Sequence, residues 1–235
     1  MGATEATLAP DCAACAGQAH CALLALARDS DTTPALRKVR TAARRPALHS
    51  GQWLDAFVVI KVGAVVLRRP DPLHARPRAI AVLGRGQLLG ARAWLGEPVP
   101  VDAHALGPTR ACQLPFDALR GRGVPPGELP RATAQGLVRV ADTLADWAAA
   151  ARLPDVELRL HAALHLLQRE QGTHTVTLPA RADLAALSGC APETASRALA
   201  ALQRRGVWQR SGRGVVAGAA VHPELPAIGP NERPK

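Results

Sequence analysis

The stretch LPARADLAALSGCAPETASRALAALQRRG, residues 178–206, decides the fold of the second half of the chain. Apolar side chains recur at a helical step over 181–188, and Gly189 directly after them is a favourable left-handed helix stop. Pro192 suits the first turn of a second helix, because its missing N–H is not needed there. The stretch therefore predicts two short helices joined by a tight turn.

The second of these helices has two different faces. One face is apolar and consists of Ala195, Ala198, Leu199 and Leu202. The other face carries Glu193, Ser196, Arg197, Ala200 and Arg204. Small residues inside and a polar face outside predict a helix-turn-helix whose second helix enters the major groove of double-stranded DNA.

The polar face suggests a contact for each side chain. Arg197 can form a bidentate contact to guanine, and Glu193 can accept from a cytosine or adenine amino group. Ser196 is expected to touch a neighbouring base or phosphate. The alternative for Glu193 and Arg197 is a solvated i,i+4 ion pair. Phosphate contacts, which give affinity without sequence information, are expected from Arg204, Arg210 and Arg213.

The composition supports a polyanionic partner. The 235 residues carry a formal net charge of +10, and 48% are hydrophobic, which allows a real core and two domains. Residues 1–11 do not resemble a signal peptide. The longest apolar run, 56–67, is too short for a bilayer and contains Lys61. We therefore expect a cytoplasmic protein without a membrane partner, whose cysteines form no disulfide framework.

Cys12, Cys15 and Cys21 form a C-x2-C-x5-C cluster near the N-terminus. Closely spaced thiolates in a loop of small residues can wrap a soft metal ion or an iron–sulfur cluster. The five-residue gap favours iron–sulfur over zinc, and a redox-labile thiol cluster is the alternative. Either metal site needs a fourth ligand. The candidates for it are Cys112, Cys190 and His20.

The segment between 53 and 112 has the character of β-structure. Residues 57–69, FVVIKVGAVVLRR, are rich in β-branched side chains, and Gly63 lies where two strands would turn. IAVLGRGQLLG at 80–90 and RACQLPF at 110–116 indicate further short strands, with Pro and Gly between them. These features predict an antiparallel β-roll of the jelly-roll type.

A break at 121–130, GRGVPPGELP, precedes a helix predicted over 131–152. Apolar positions in this helix follow the 3-4-3-4 spacing of a coiled-coil seam. We interpret the seam as a homodimer interface, because helix-turn-helix proteins commonly read two half-sites as a symmetric pair. The alternative is a helix packed against its own β-roll. The seam consists of Leu137, Val140, Leu144, Trp147 and Ala151.

The remaining segments complete a winged helix. Asp155 is expected to cap a helix, and a short β segment follows at 172–178. The segment 207–218, VWQRSGRGVVAG, predicts a two-stranded wing around a turn at Ser211 and Gly212. The predicted fold class is α+β. We divide the chain into a cysteine-rich arm at 1–30, a β-roll sensory domain at 31–127, a dimerisation helix at 128–153, a winged helix-turn-helix domain at 154–225 and a disordered tail at 226–235.

This order of parts resembles the Crp/Fnr family of bacterial transcription regulators over nearly the full chain. PETASR at 192–197 looks like the E-x-x-S-R recognition motif of the FNR branch. That branch binds a [4Fe-4S] cluster through an N-terminal C-x2-C-x5-C and a distant cysteine in a C-[EQ]-[IL]-P-F segment. The resemblance assigns no ligand role to Cys190, which we therefore expect to be a small buried apolar residue. The matching ligands here are Cys12, Cys15, Cys21 and the Cys112 of CQLPF.

The resemblance implies a homodimer whose DNA affinity changes when oxygen or nitric oxide destroys or converts the cluster. It also implies TTGA(T)-like half-sites in an inverted repeat and contact with RNA polymerase. The family's cyclic-nucleotide binders have G-E-[LF] and a downstream R-[ST], where this chain has LGARAWLG at 89–96 and an acidic Asp102. We therefore expect no cyclic nucleotide. Because the predicted seam contains no acidic residue, we also expect dimers without the cluster.

Three alternatives differ in mechanism. One is the same regulator without a cluster, which uses its thiols as a redox switch. Another is a haem-based gas sensor, although the available histidines show no ligand spacing: His20, His49, His74 and His104. The third is an enzyme, which we do not expect, because no catalytic triad order, phosphate loop or paired carboxylates stand out.

Overall fold

The first half of the described chain is a β-roll built from two antiparallel sheets. The computed structural model describes residues 12, 15, 21–23, 36–71, 74–120, 127–212 and 215–218. Within these ranges the strands of the β-roll are β1 Arg37–Thr41, β2 Pro46–Leu48, β3 Ala56–Val62, β4 Val65–Asp71, β5 His74–Leu83, β6 Leu88–Leu89, β7 Asp102–Ala105 and β8 Thr109–Pro115. Two short helices follow β6 and β8, α1 Ala91–Trp94 and α2 Phe116–Arg120.

One sheet of the β-roll has the order β1-β8-β3-β6 and the other β2-β7-β4-β5. Gly63, with φ +85°, leads from β3 in the first sheet to β4 in the second. A side chain at Gly63 would come within 2.8 Å of both the Pro108 carbonyl oxygen and the Thr109 hydroxyl oxygen. The predicted turn is therefore present, and it joins two sheets. The predicted antiparallel β-roll within an α+β fold is confirmed.

A long helix, α3, spans Glu128–Ala150 and begins three residues before the predicted start. One face of α3 packs closely against the β-roll, because a side chain at Gly136 would come within 2.4 Å of Leu88 Cδ2. Near its C-terminal end the indole Nε1 of Trp147 donates to the carbonyl oxygen of Val82 at 3.2 Å. No helix among the residues described is both long and apolar enough to cross a bilayer.

The second half of the chain is a winged helix. Its elements are α4 Val156–Gln171, β9 Thr175–Thr177, α5 Arg181–Leu187, α6 Pro192–Arg204, β10 Trp208–Gly212 and β11 Val215–Gly218. Asp155 caps α4 as predicted, since its carboxylate accepts from the backbone N–H of Glu157 at 2.7 Å. Gly189 adopts φ +57° in the turn between α5 and α6. The wing sheet has the order β10-β11-β9, so the short segment at 175–177 adds a third strand to the predicted two.

Candidate DNA-reading surface and thiol cluster

The helix α6 turns its apolar face inward and its polar face outward, as its sequence pattern predicts. The buried side chains are Ala195, Ala198 and Leu202. The exposed ones are Glu193, Arg197 and Arg204. Arg210 on β10 is also exposed, whereas Arg213 lies outside the described residues. An exposed polar face on the second helix of the pair is the arrangement that a major-groove reader needs.

The guanidinium of Arg197 is held by a neighbour on the same helix turn. Its Nη2 donates to the hydroxyl oxygen of Thr194 at 3.3 Å. Among the ion pairs of the described residues none joins Glu193 to Arg197, so the alternative of an intrahelical pair is not seen. Arg197 and Glu193 therefore both present their charged ends to solvent.

The hydroxyl of Ser196 has a partner inside the helix. Its Oγ donates to the carbonyl oxygen of Pro192 at 2.9 Å, and the side chain is partly buried. Because the single hydroxyl proton is used there, Ser196 in this rotamer can only accept a further hydrogen bond. A contact to a phosphate, which offers acceptors only, would require the hydroxyl to rotate.

Two arginines that the sequence patterns did not single out fix α6 relative to α4. Arg159 Nη1 donates to the carbonyl oxygen of Gly189 at 2.9 Å, which holds the turn. Arg205 Nη1 lies 3.0 Å from Glu157 Oε2 at the other end of α6. Such contacts join residues 30 and 48 positions apart, and neither is encoded in a local motif.

Four of the five cysteines are associated with the β-roll, and three of them influence the fourth electrostatically. Cys112 lies in β8, between β1 and β3. Burial raises the pKa of its thiol to about 11, Lys61 opposes this rise, and Cys21, Cys12 and Cys15 add to it. Cys12 and Cys21 also pack against the apolar cluster that contains Leu114 and Phe116.

The thiol cluster, defined as Cys12, Cys15, Cys21 and Cys112, lacks the geometry of a metal site. No group of three or more His, Cys, Asp or Glu side chains in the described parts of the chain is arranged to hold a metal ion. Cys190 is separate: burial raises the pKa of its thiol and Arg159 opposes this effect. It is only partly buried, so the expectation of a buried residue is not met.

The predicted seam on α3 does not form one exposed face. Trp147 is 1% exposed and belongs to the core of its own chain, so it cannot reach a partner subunit. Val140 and Leu144 are partly buried against the cores, whereas Leu137 is 47% exposed. The prediction that Trp147 contacts a partner subunit is therefore wrong, because this side chain packs on the β-roll of its own chain, as the alternative interpretation had it.

A different set of positions on α3 faces solvent at the spacing 4-3-4-3. We call it the exposed stripe, and it consists of Ala134, Val138, Ala141, Ala145 and Ala148. Its side chains are apolar and, apart from Val138, as small as alanine. Spacing of this kind brings residues to one side of a helix.

The place where a cyclic nucleotide would bind has a close-packed backbone. Gly90 has φ +95°, and a side chain there would lie 2.6 Å from the carbonyl oxygen of Ala56. Ala91 after it is buried and carries no polar group. Asp102 accepts from the backbone N–H of Ser50 at 2.9 Å. The expectation that no cyclic nucleotide binds stays a prediction.

A β-roll, a long helix and a winged helix-turn-helix with an exposed polar face define a DNA-binding transcription regulator. Residues 39–121 match the cyclic nucleotide-binding domain family, and residues 138–217 match the Crp-like helix-turn-helix domain family. The chain belongs to the Crp/Fnr family of transcription regulators, whose members are not enzymes. The predictions of the family and of a non-enzymatic regulator are confirmed.

Solved structures share this fold. A CRP-family transcriptional regulator from Thermus thermophilus is 18% identical, with TM-score 0.64 over 76% of this chain and 90% of that one. A CRP/FNR-family regulator from the same organism is 22% identical, with TM-score 0.62 over 78% and 93%. FixK2 from Bradyrhizobium japonicum is 18% identical, with TM-score 0.64 over 79% and 93%. None of the curated proteins compared with the chain matches it.

Proposed function

We propose that this protein is a homodimeric regulator of FNR type that reads an inverted repeat of TTGA(T)-like half-sites. Its DNA affinity is gated by an oxygen- or nitric oxide-sensitive [4Fe-4S] cluster held by Cys12, Cys15, Cys21 and Cys112. The observation that supports the cluster is the packing of Cys12 and Cys21 against the apolar cluster that contains Leu114, which lies on the same strand as Cys112. Contact with RNA polymerase is part of the proposal by resemblance, with no residue assigned.

The DNA-reading part of the proposal rests on the outer face of α6. Arg197 makes the guanine contact, with Thr194 holding its guanidinium near the reading position. Glu193 accepts from a base amino group, and Ser196 accepts a further contact with its oxygen. The phosphate contacts come from Arg204, Arg210 and Arg213.

The homodimer is proposed to form through the exposed stripe of α3 rather than through the predicted seam. Five apolar positions at 4-3-4-3 spacing would otherwise face water along 15 residues of helix, from Ala134 to Ala148. Small side chains allow two helices to approach closely. The stripe contains no charged residue, which again favours a dimer without the cluster. Two α6 helices related by two-fold symmetry then face the two half-sites of an inverted repeat.

The donor set fits an iron–sulfur cluster in chemistry, since it consists of four cysteine thiols. A bound cluster supplies an oxygen-sensitive redox centre and keeps its ligand thiols deprotonated. Lys61, which opposes the raised pKa of Cys112, assists formation of that thiolate. Leu114 and Phe116 belong to the buried apolar cluster against which Cys12 and Cys21 pack.

Anaerobic purification with iron and sulfide assay and a visible spectrum tests the cluster. We expect straw-brown protein that bleaches in air, in the wild type and in the matched control Cys190→Ala. Cys112→Ala should be colourless and should lose cluster iron while it stays folded by circular dichroism. Cluster iron retained by Cys112→Ala would reject the proposed ligand set, and a sharp Soret band would indicate haem instead.

A thiol switch on the same scaffold is the second candidate function. The observation in its favour is that no described group of three or more possible ligands has metal-site geometry. Cys12 and Cys15 are joined by a backbone hydrogen bond of 3.4 Å from Cys15 N to Cys12 O, so their side chains lie in one turn. Colourless, iron-free protein whose thiol count falls by two after peroxide, with altered DNA affinity, would select this candidate.

A further inference from the structure

A hydrogen bond joins the first wing strand to the core helix of the DNA-binding domain. Trp208, the first residue of β10, donates from its indole Nε1 to Nδ1 of His161 on α4 at 3.0 Å. Both side chains are buried, Trp208 at 1% and His161 at 7% exposure. Because an indole N–H can only donate, Nδ1 of His161 accepts and carries no proton.

That assignment determines the protons of the next two residues. Nε2 of His161 and Nε2 of His165 lie 2.9 Å apart, so one of them must donate. A neutral His161 has its only proton on Nε2, and it therefore donates to His165. His165 then has its proton on Nδ1, which donates to Oε1 of Gln168 at 3.1 Å. Gln168 Nε2 donates in turn to the carbonyl oxygen of His174 at 3.0 Å.

These hydrogen bonds form a chain that we call the wing relay. It runs from Trp208 through His161, His165 and Gln168 to the carbonyl oxygen of His174, and it holds the wing sheet against α4. Trp208 begins β10, and His174 lies directly before β9. These are the two outer strands of the sheet, with β11 between them. The relay thus anchors both edges of the wing to α4.

We propose that the wing relay positions the wing for DNA contact and that protonation of either imidazole releases it, so that acidification weakens DNA binding. A proton on Nδ1 of His161 would face the indole N–H of Trp208. A proton on Nε2 of His165 would face the donor of His161. In each case two donors point at each other and one bond is lost. The inference is independent of any cluster.

The surroundings of His165 favour its neutral form. Burial lowers the pKa of His165 and the hydrogen bond to Gln168 opposes this shift, with no charged group among the causes. Buried apolar residues of the same core lie on the neighbouring elements, namely Leu202, Val207 and Val176. The charged groups of α4 have other contacts: Glu157 with Arg205, Arg159 with Gly189, Arg169 with Asp146, and Glu170 with Gly84. On the wing side, Arg210 and His174 are exposed.

The direction of the pH effect follows from the lowered pKa of His165. When the wing is released, His165 has the ordinary imidazole pKa of 6.5. His165 therefore binds a proton more readily in the released wing than in the ordered wing. The relay is therefore intact above pH 6.5 and is lost as the pH falls below it. A difference of one unit between the pKa of His165 in the ordered wing and in the released wing corresponds to a tenfold change in the equilibrium between these two states.

Binding of a DNA duplex, selected from a random pool by the wild-type protein at pH 7.5, tests the proposal. We expect affinity about three- to tenfold weaker at pH 5.5 than at pH 7.5 for the wild type. The double variant His161→Gln/His165→Gln should lose this dependence. His174→Gln is the matched control, because the relay uses only its carbonyl oxygen, and it should keep the dependence. Equal pH dependence in the wild type and the double variant would overturn the proposal.

A second measurement does not depend on the folding of the double variant. In wild-type protein labelled with ¹⁵N, the imidazole signals should show His161 protonated at Nε2 and His165 at Nδ1 at pH 7.5. The indole N–H signal of Trp208 should move on acidification below pH 6.5. A proton on Nδ1 of His161 at pH 7.5, or an unmoved indole signal, would reject the relay.

Discussion

Arg68 of the β-roll and Asp183 of the helix-turn-helix form a bidentate ion pair that joins the two halves of the chain. Arg68 Nε donates to Asp183 Oδ1 at 2.9 Å, and Nη2 donates to Oδ2 at 2.7 Å. The side chain of Asp183 is 10% exposed and that of Arg68 26%. Planar bidentate pairs of this kind fix orientation as well as distance. The pair therefore links sheet strand β4 directly to the helix that precedes the DNA-reading helix.

Replacement of Asp183 by Ala should reduce the free energy of unfolding by about 1–3 kcal/mol, because a charge-assisted pair is lost and Arg68 is left partly buried. Thermal unfolding with and without urea measures the change. The matched control is Glu97→Ala, which breaks the exposed pair with Arg92 and should cost about 0–1 kcal/mol. Equal destabilisation by both substitutions would contradict a special role for the pair with Asp183.

Replacement of Arg197 by Ala should weaken binding of the preferred site by about 1–3 kcal/mol and relax specificity at one base position. The physical reason is the loss of two parallel hydrogen bonds to one guanine. A gel-shift series with single-base changes measures this. Arg204→Ala is the comparison, since loss of a phosphate contact should weaken all sequences alike. An unchanged base preference in Arg197→Ala would refute the assignment.

Insertion of charge into the exposed stripe should separate the subunits. Ala141→Glu/Ala145→Glu places four like charges along a two-fold pair of α3 helices, so we expect monomers by analytical ultracentrifugation and weaker DNA binding. Gln135→Glu is the matched control and should remain dimeric, because position 135 lies about a quarter turn from Ala134 around the helix. Dimers that persist in the double variant would show that another surface joins the subunits.

The thiol of Cys112 should resist alkylation in the protein without metal. Burial raises its pKa from 9.0 to about 11, so the reactive thiolate is scarce at pH 8. The folded state holds this proton more tightly than the unfolded chain, and stability from Cys112 is present below pH 9 and lost as the pH rises through 11. Mass spectrometry of the peptides after alkylation at pH 8–11 measures how fast Cys112 is modified at each pH. Rapid modification at pH 8 would contradict the burial of this thiol.

The DNA-reading helix was predictable because its information is local. Gly189, Pro192 and the alternation of polar and apolar residues over 192–204 are features of one short segment. Helical periodicity alone places Arg197 about 200° around the helix from the buried Ala195. The cap at Asp155 and the turn at Gly63 follow from equally local rules.

The packing face of α3 was not predictable in this way. The helix is rich in alanine, so two different sets of positions have apolar 3-4 spacing. Trp147 lies in the set that faces inward because its indole reaches the carbonyl of Val82, which is 65 residues away in the chain. Only the β-roll surface decides which set is buried, and the remaining set stays exposed.

The sequence by itself thus determined the helix-turn-helix, the β-roll and the family, since periodicity, turn residues and motif spacing act over a few residues. The tertiary structure alone decided the contacts between distant segments. It brought Arg68 to Asp183, Trp208 to His161, and Cys12 and Cys21 to the apolar cluster of the β-roll. These pairings depend on chain topology and on burial, which no local pattern encodes.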